Sequence, residues 1–153
     1  MKKPFRSKWS RDANILARVV TGVLPTPEGL LERQRMVELQ AIEAFAKGYA
    51  TPDDFRVCAD MLNVAETMAF NGIGRDEVTP VCETCQEQPI AAKDRHDQGK
   101  TLGLSAMGLK VLRDLAEYHD LQRTSVDWAT YERMIVKTAN RIRSAHPDVK
   151  ELA

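Results

Sequence analysis

Two thiols stand three residues apart in the run PVCETCQEQP, residues 80–89, as Cys82 and Cys85. Half of a four-ligand zinc site, a dithiol redox pair and two neighbours on one helical face all share that spacing. A structural zinc ion needs four donors, usually as two ligand pairs. The remaining candidates, His96 and His119, give Cys-x2-Cys-x10-His-x22-His, and the second half lacks pair spacing. A redox pair draws its low thiol pKa from a helix N-terminus and normally follows a strand of an α/β unit, and no strand-like run precedes this one. The remaining reading is packing: Cys82, Cys85, Pro89 and Ala92 share one inward stripe, with cysteine as a small hydrophobe and Pro89 as a kink. No metal, cofactor or catalytic residue is assigned.

The order His96, His119-Asp120, then Asp127 or Asp148 is that of metal-dependent phosphohydrolases with an HD motif. The chain is short for that fold and has only 3 histidines. His119, in EYHD at 117–120, reads instead as a helix C-terminal residue, where a partly positive ring is favourable. The NGIG run at 71–74 lacks the Lys-Ser/Thr of a phosphate loop. Glu66, at the edge of an apolar face, is expected to pair or snorkel at the rim.

Basic residues form two features that could contact a partner. The arm Lys2-Lys3-Pro4-Phe5-Arg6-Ser7-Lys8-Trp9 mixes charge with two aromatic rings, as base-stacking segments do. Arg133, Lys137 and Arg141 recur every four residues, opposite the stripe Trp128, Tyr131 and Ile135, and Arg143 extends them. A tight helix-turn-helix is not expected, because YHDLQRTSVDW is too long for its turn.

The elements that must position these groups are marked by a repeated punctuation. Thr26-Pro27, Thr51-Pro52 and Thr79-Pro80 each place a capping hydroxyl before a proline suited to the first helical position. The first pair predicts a helix over Pro27 to Lys47, with Leu31, Leu39, Ile42 and Phe45 inward, Val37 nearby, and Gly48 as C-cap. Thr51, with Asp54 at capping-box spacing, predicts a helix over Pro52 to Phe70 that stops at Asn71-Gly72. Its apolar line is Phe55, Cys58, Leu62, Ala65 and Ala69, with Met61 and Met68 beside it. Thr79-Pro80 predicts the start of the cysteine-bearing helix. Ser10 predicts a cap for Arg11 to Thr21. Leu104 to Tyr118 reads as helix with Met107, Val111, Leu112 and Leu115 in step. Asp127 to Ala145 reads as the last helix, with Thr124 and Asp127 at capping-box spacing and Trp128, Tyr131, Ile135, Ala139 and Ile142 buried. Residues 97–103 read as a loop.

At 153 residues, with 43% apolar and 29% charged residues, the chain is the size of one globular domain with a real core. Aromatic residues are only 6%, which favours packed helices over β-branched strands. The formal net charge is zero, so no whole-molecule attraction to nucleic acid or membrane follows. No apolar run reaches the ~20 residues that span a bilayer, and no signal-peptide pattern opens the chain, so a cytoplasmic protein with reduced thiols is expected. The fold class expected is all-α: a basic arm over 1–9, then a single helical bundle of about five or six helices over 10–153.

The run EYHDLQRTSVDWATYERMIVKTANRIRS, residues 117–144, resembles the C-terminal part of small uncharacterised proteins carried by phages and plasmids of proteobacteria. LNVAETMAFNGIG, residues 62–74, resembles the same group, and the likeness covers about half the chain. It names no activity and transfers no site residue, and the cysteine pair is not part of its pattern. It implies a mobile-element accessory protein, a setting in which non-enzymatic binders of host or phage proteins are common. The leading expectation is a non-catalytic module that binds a protein partner, with self-association open. Its contact residues would be Phe5, Arg6, Lys8, Trp9, Arg133, Lys137, Arg141 and Arg143. The alternative is a nucleic-acid-binding regulator that uses the same arm and stripe. A metal-dependent enzyme is the third reading.

Overall fold

A computed structural model describes residues 28–85 and 104–144. The arm with Phe5, Arg6, Lys8 and Trp9, the proposed helix at 11–21, the Thr26-Pro27 cap, Pro89, Ala92, His96, the loop at 97–103 and Asp148 lie outside the described residues. Within them the chain is all-α, with five helices: α1 (Glu28–Lys47), α2 (Pro52–Phe70), α3 (Arg75–Cys85), α4 (Ala106–Thr124) and α5 (Trp128–Ser144).

Helix ends follow local chemistry. Thr51 accepts from the Asp54 amide at 3.4 Å, and the Asp54 carboxylate accepts from the Thr51 amide at 2.8 Å, closing the expected capping box. Gly48, at φ 81°, ends α1: its amide bonds to Phe45 O, and that of Tyr49 to Ala44 O. Gly72, at φ 86°, ends α2 in the same way, through Ala69 O and Met68 O. Both are Schellman turns, which need the left-handed backbone that glycine adopts without steric penalty.

Helix α2 is the hub. It packs against α1, α3, α4 and α5, while α1 and α3 also pack on α4. Its line Phe55, Cys58, Leu62, Ala65 and Ala69 is buried as expected, together with Met61 and Met68. Ile42 and Phe45 of α1, Val78 of α3, and Leu112 and Leu115 of α4 complete the main core. A second, smaller cluster joins α2 to α5 through Met68, Tyr131 and Met134. Helix α5 is thus docked on one flank of the four-helix body.

Several helix positions differ from those read in the sequence. Helix α3 begins at Arg75, so Pro80 lies inside it and Thr79-Pro80 is not its start. The glycine turn before Arg75 sets the start earlier, and Val78, Cys82 and Cys85 then form one buried stripe. On α1, Val37 and Leu39 are exposed, and Glu38, Ala41 and Ala44 face inward in their place. Met107 is exposed. Helix α4 runs on to Thr124, so His119 is not at a helix end. The link to α5 is then only residues 125–127, much shorter than the sequence suggested. The N-cap of α5 is Asp127, whose Oδ1 accepts from the Thr130 amide at 2.8 Å. Thr124 instead bonds back to the carbonyls of Asp120 and Leu121.

Candidate functional site

The three thiols are core atoms. Cys58, Cys82 and Cys85 are each buried in the main cluster. Burial pushes all three up to about 12, the opposite direction from an activated thiol. Because α3 starts at Arg75, Cys82 also lies beyond the first turn, where the helix dipole would have lowered its pKa. All three thiols are expected to stay unreacted with an aromatic disulfide reagent in native buffer for hours, and to titrate fully in denaturant. Prompt labelling of Cys82 alone would show an accessible site.

The HD residues are engaged elsewhere. Asp120 pairs with Arg35 at 3.3 Å and approaches Arg123 at 3.5 Å, and Asp127 caps α5. Among the described residues, no group of three or more His, Cys, Asp or Glu side chains converges as a metal site would.

Part of the basic stripe is used inside the fold. Lys137 donates to Asn71 Oδ1 at 2.7 Å. Arg141 donates to Asn63 O at 3.1 Å, pairs with Glu66 at 3.2 Å, and lies 5.7 Å from the centre of the Phe70 ring. These two cations fasten α5 to α2, and Glu66 pairs at the rim as expected. Arg133 is exposed with a local bond to Thr130, and Arg143 is exposed in the last turn.

The arrangement that stands out is a groove of about 530 Å3 between α1, α2 and α5. Val37 of α1 forms one wall, and Ile135, Ala139 and Ile142 of α5 form the other. Val57, Met61 and Val64 of α2 make the floor, and Arg33 and Asp60 stand among the lining groups. The sequence placed Ile135, Ala139 and Ile142 in the core. The structure buries Tyr131 as expected, adds Met134 and Thr138, and turns Ile135, Ala139 and Ile142 toward the groove, with Ile135 exposed. An apolar stripe therefore exists on α5, but the described residues cover it only in part.

Polar groups gather at the foot of the groove. Arg123 and Glu38 form a bidentate pair at 2.6 and 2.8 Å, with Arg123 1% and Glu38 9% exposed. Burial drives the Glu38 carboxyl upward against the pull of the guanidinium. Burial is also the largest single influence on Arg123, but the bonds and charge of Glu38, joined by Tyr131, together outweigh it and Arg123 keeps its charge. Tyr131 donates to Gln34 Oε1 at 3.0 Å. His119 Nδ1 lies 2.9 Å from Gln122 Oε1. The Gln122 amide nitrogen donates to Ala65 O at 3.2 Å and Ile73 O at 2.8 Å, tying α4 to the turn after α2. Burial first, and the Arg123 charge second, lower His119 to about 4, so its ring is neutral at physiological pH. Sequence reasoning missed Glu38, Arg123 and Gln122 as interior groups.

No family model, curated protein or solved structure matches this chain. The geometry therefore has to carry any functional reading. An open apolar groove with a few ordered polar groups at its foot has the form of a binding site. None of the described helices is long and apolar enough to cross a membrane.

Proposed function

We propose that the protein is a non-catalytic interaction module, a mobile-element accessory protein that holds an amphipathic helix of a protein partner in the groove between α1 and α5. The observation that carries this reading is the apolar wall of Ile135, Ala139 and Ile142, only partly covered by the described residues, facing Val37 across the floor supplied by α2. From Ile135 to Ile142 that wall is about 10 Å long at 1.5 Å per residue, room for roughly two turns of a bound helix. Apolar residues at i, i+3, i+4 and i+7 of such a helix would fill it. Arg33 belongs to the lining, and the exposed Arg143 follows Ala139 by four residues on the outer flank of α5. With Asp60 also in the lining, the edges carry both signs and favour a partner helix with charges of both signs beside its apolar stripe.

Of the contact residues expected from sequence, Arg143 fits this reading best, while Lys137 and Arg141 act in holding α5. That use of the stripe also weakens the nucleic-acid alternative, because two of its cations already have protein partners. The test is capture of a partner from the native host by the tagged protein, compared with Ala139→Trp, which fills the groove, and Met107→Asp, which lies outside it. Ala139→Trp should abolish capture with a near-native melting temperature, and Met107→Asp should leave capture intact. Equal capture by all three proteins would dismiss the groove.

A further inference from the structure

We propose that the foot of the groove receives a tyrosine side chain of the partner helix, whose hydroxyl donates a hydrogen bond to Nε2 of His119. This rests on the groove as binding site and specifies the anchor it selects.

The tautomer of His119 follows from its neighbour. Both bonds from the Gln122 amide nitrogen go to carbonyls, Ala65 O and Ile73 O, which fixes that end of the amide as the donor. Gln122 Oε1 is then the acceptor facing Nδ1 at 2.9 Å, so the proton of the neutral ring sits on Nδ1. Nε2 is left with a bare lone pair. Among the described residues, the one fully buried side-chain nitrogen or oxygen without a partner is Arg123 Nε. No hydrogen bond of His119 Nε2 is present among the described residues, and the atom is not one of the fully buried unpartnered ones. His119 lines the groove, and the lone pair is its unused polar function. The ring cannot turn away without breaking its bond to Gln122, whose amide is anchored to the backbone of α2 and of the turn after it.

The surroundings decide the chemistry of the group that bonds here. A carboxylate or carbonyl presents a lone pair to a lone pair and is rejected. An ammonium or guanidinium would lose its hydration among Met61, Val64 and Ile135, close to the Arg123 charge that already disfavours a positive His119. A serine or threonine hydroxyl brings almost no apolar surface to set against Met61, Val64 and Ile135. A tyrosine combines an apolar ring with a neutral hydroxyl donor at its far end. A phenylalanine of the same shape would leave Nε2 dry and unpaired, which is the kind of discrimination a buried polar group enforces best.

The test uses side-chain analogues on the intact wild-type protein: p-cresol for tyrosine and toluene for phenylalanine. NMR titration should show both in the groove, with p-cresol bound about fivefold or more tighter, the ratio one net hydrogen bond gives. In 15N spectra of the imidazole, the Nε2 signal should move on adding p-cresol and stay with toluene, while Nδ1 remains the protonated nitrogen throughout. Equal affinity of the two probes, an unmoved Nε2, or a proton found on Nε2 in the free protein would overturn the proposal. Those results leave the Ala139→Trp capture experiment to decide the groove on its own, so the two failures can be told apart.

Discussion

Replacing Arg123 by methionine should destabilise the protein by about 3–5 kcal/mol in denaturant titrations at pH 7. Restoring apolar balance with Glu38→Leu in the same chain should return most of that loss. The buried pair makes two short parallel bonds with almost no solvent at the guanidinium, so each charge is tolerated chiefly because the other faces it, with Asp120 a more distant second anion 3.5 Å from Arg123. Removing the arginine strands a carboxylate whose desolvation no longer has a counter-charge. The single variants should also differ from each other. Glu38 can take up a proton once its partner is gone, and burial already drives it upward. Arg123 cannot shed one, and its Nε lacks a partner even in the intact protein. Glu38→Leu alone should therefore cost more than Arg123→Met alone, and the double variant should be the most stable of the three. A double variant as unstable as the sum of the single variants would show that the pair does not act as a unit.

The same residues show what could be read along the chain and what could not. Caps are local chemistry, so Thr51 with Asp54, Gly48 and Asn71-Gly72 were legible from a few adjacent residues. The buried line of α2 was also legible, because a hub helix surrounded by neighbours buries whatever apolar stripe it carries. Helix α5 failed that logic. It rests mainly on α2, and its stripe is wider than the contact, so Tyr131 and Met134 are covered while Ile135 is not. Periodicity shows that a stripe exists but not how much of it a neighbour reaches. Glu38 and Arg123 drew no reading from the sequence because charged side chains ordinarily face water, a sound prior that fails when two charges meet across helices 85 residues apart. One signal was present in α4: Leu112, Leu115, Ala116, His119, Gln122 and Arg123 continue a single i, i+3, i+4 register, and all six are buried. Following that register past the last apolar residue would have brought His119 into the interior and carried the helix through to Thr124.

Acid should weaken the fold through His119 in particular. Its folded-state pKa is lowered to about 4 by burial and by the Arg123 charge, with the bond to Gln122 opposing. An unfolded chain titrates the same ring near 6.5. Above about pH 6.5 neither state binds the proton, and the residue contributes its full stability. As the pH falls from there toward 4, the unfolded chain takes the proton and the folded protein refuses it. Stability attributable to His119 should therefore decline by about 3 kcal/mol across that window. Glu38 has the opposite sign: its folded pKa is raised, so its own contribution grows on acidification. Comparing wild type with His119→Gln at each pH removes that background, because the carboxyls titrate in both proteins. The stability difference between them should shrink steadily from pH 7 to pH 4.5, measured by urea unfolding. Arg123 and Tyr131, the other ionisable groups at the foot of the groove, keep one charge state across this range and cannot mimic the slope. A difference that stays constant with pH would mean that the folded ring accepts the proton as readily as the unfolded one, and Nε2 would then be a donor in mildly acidic solution.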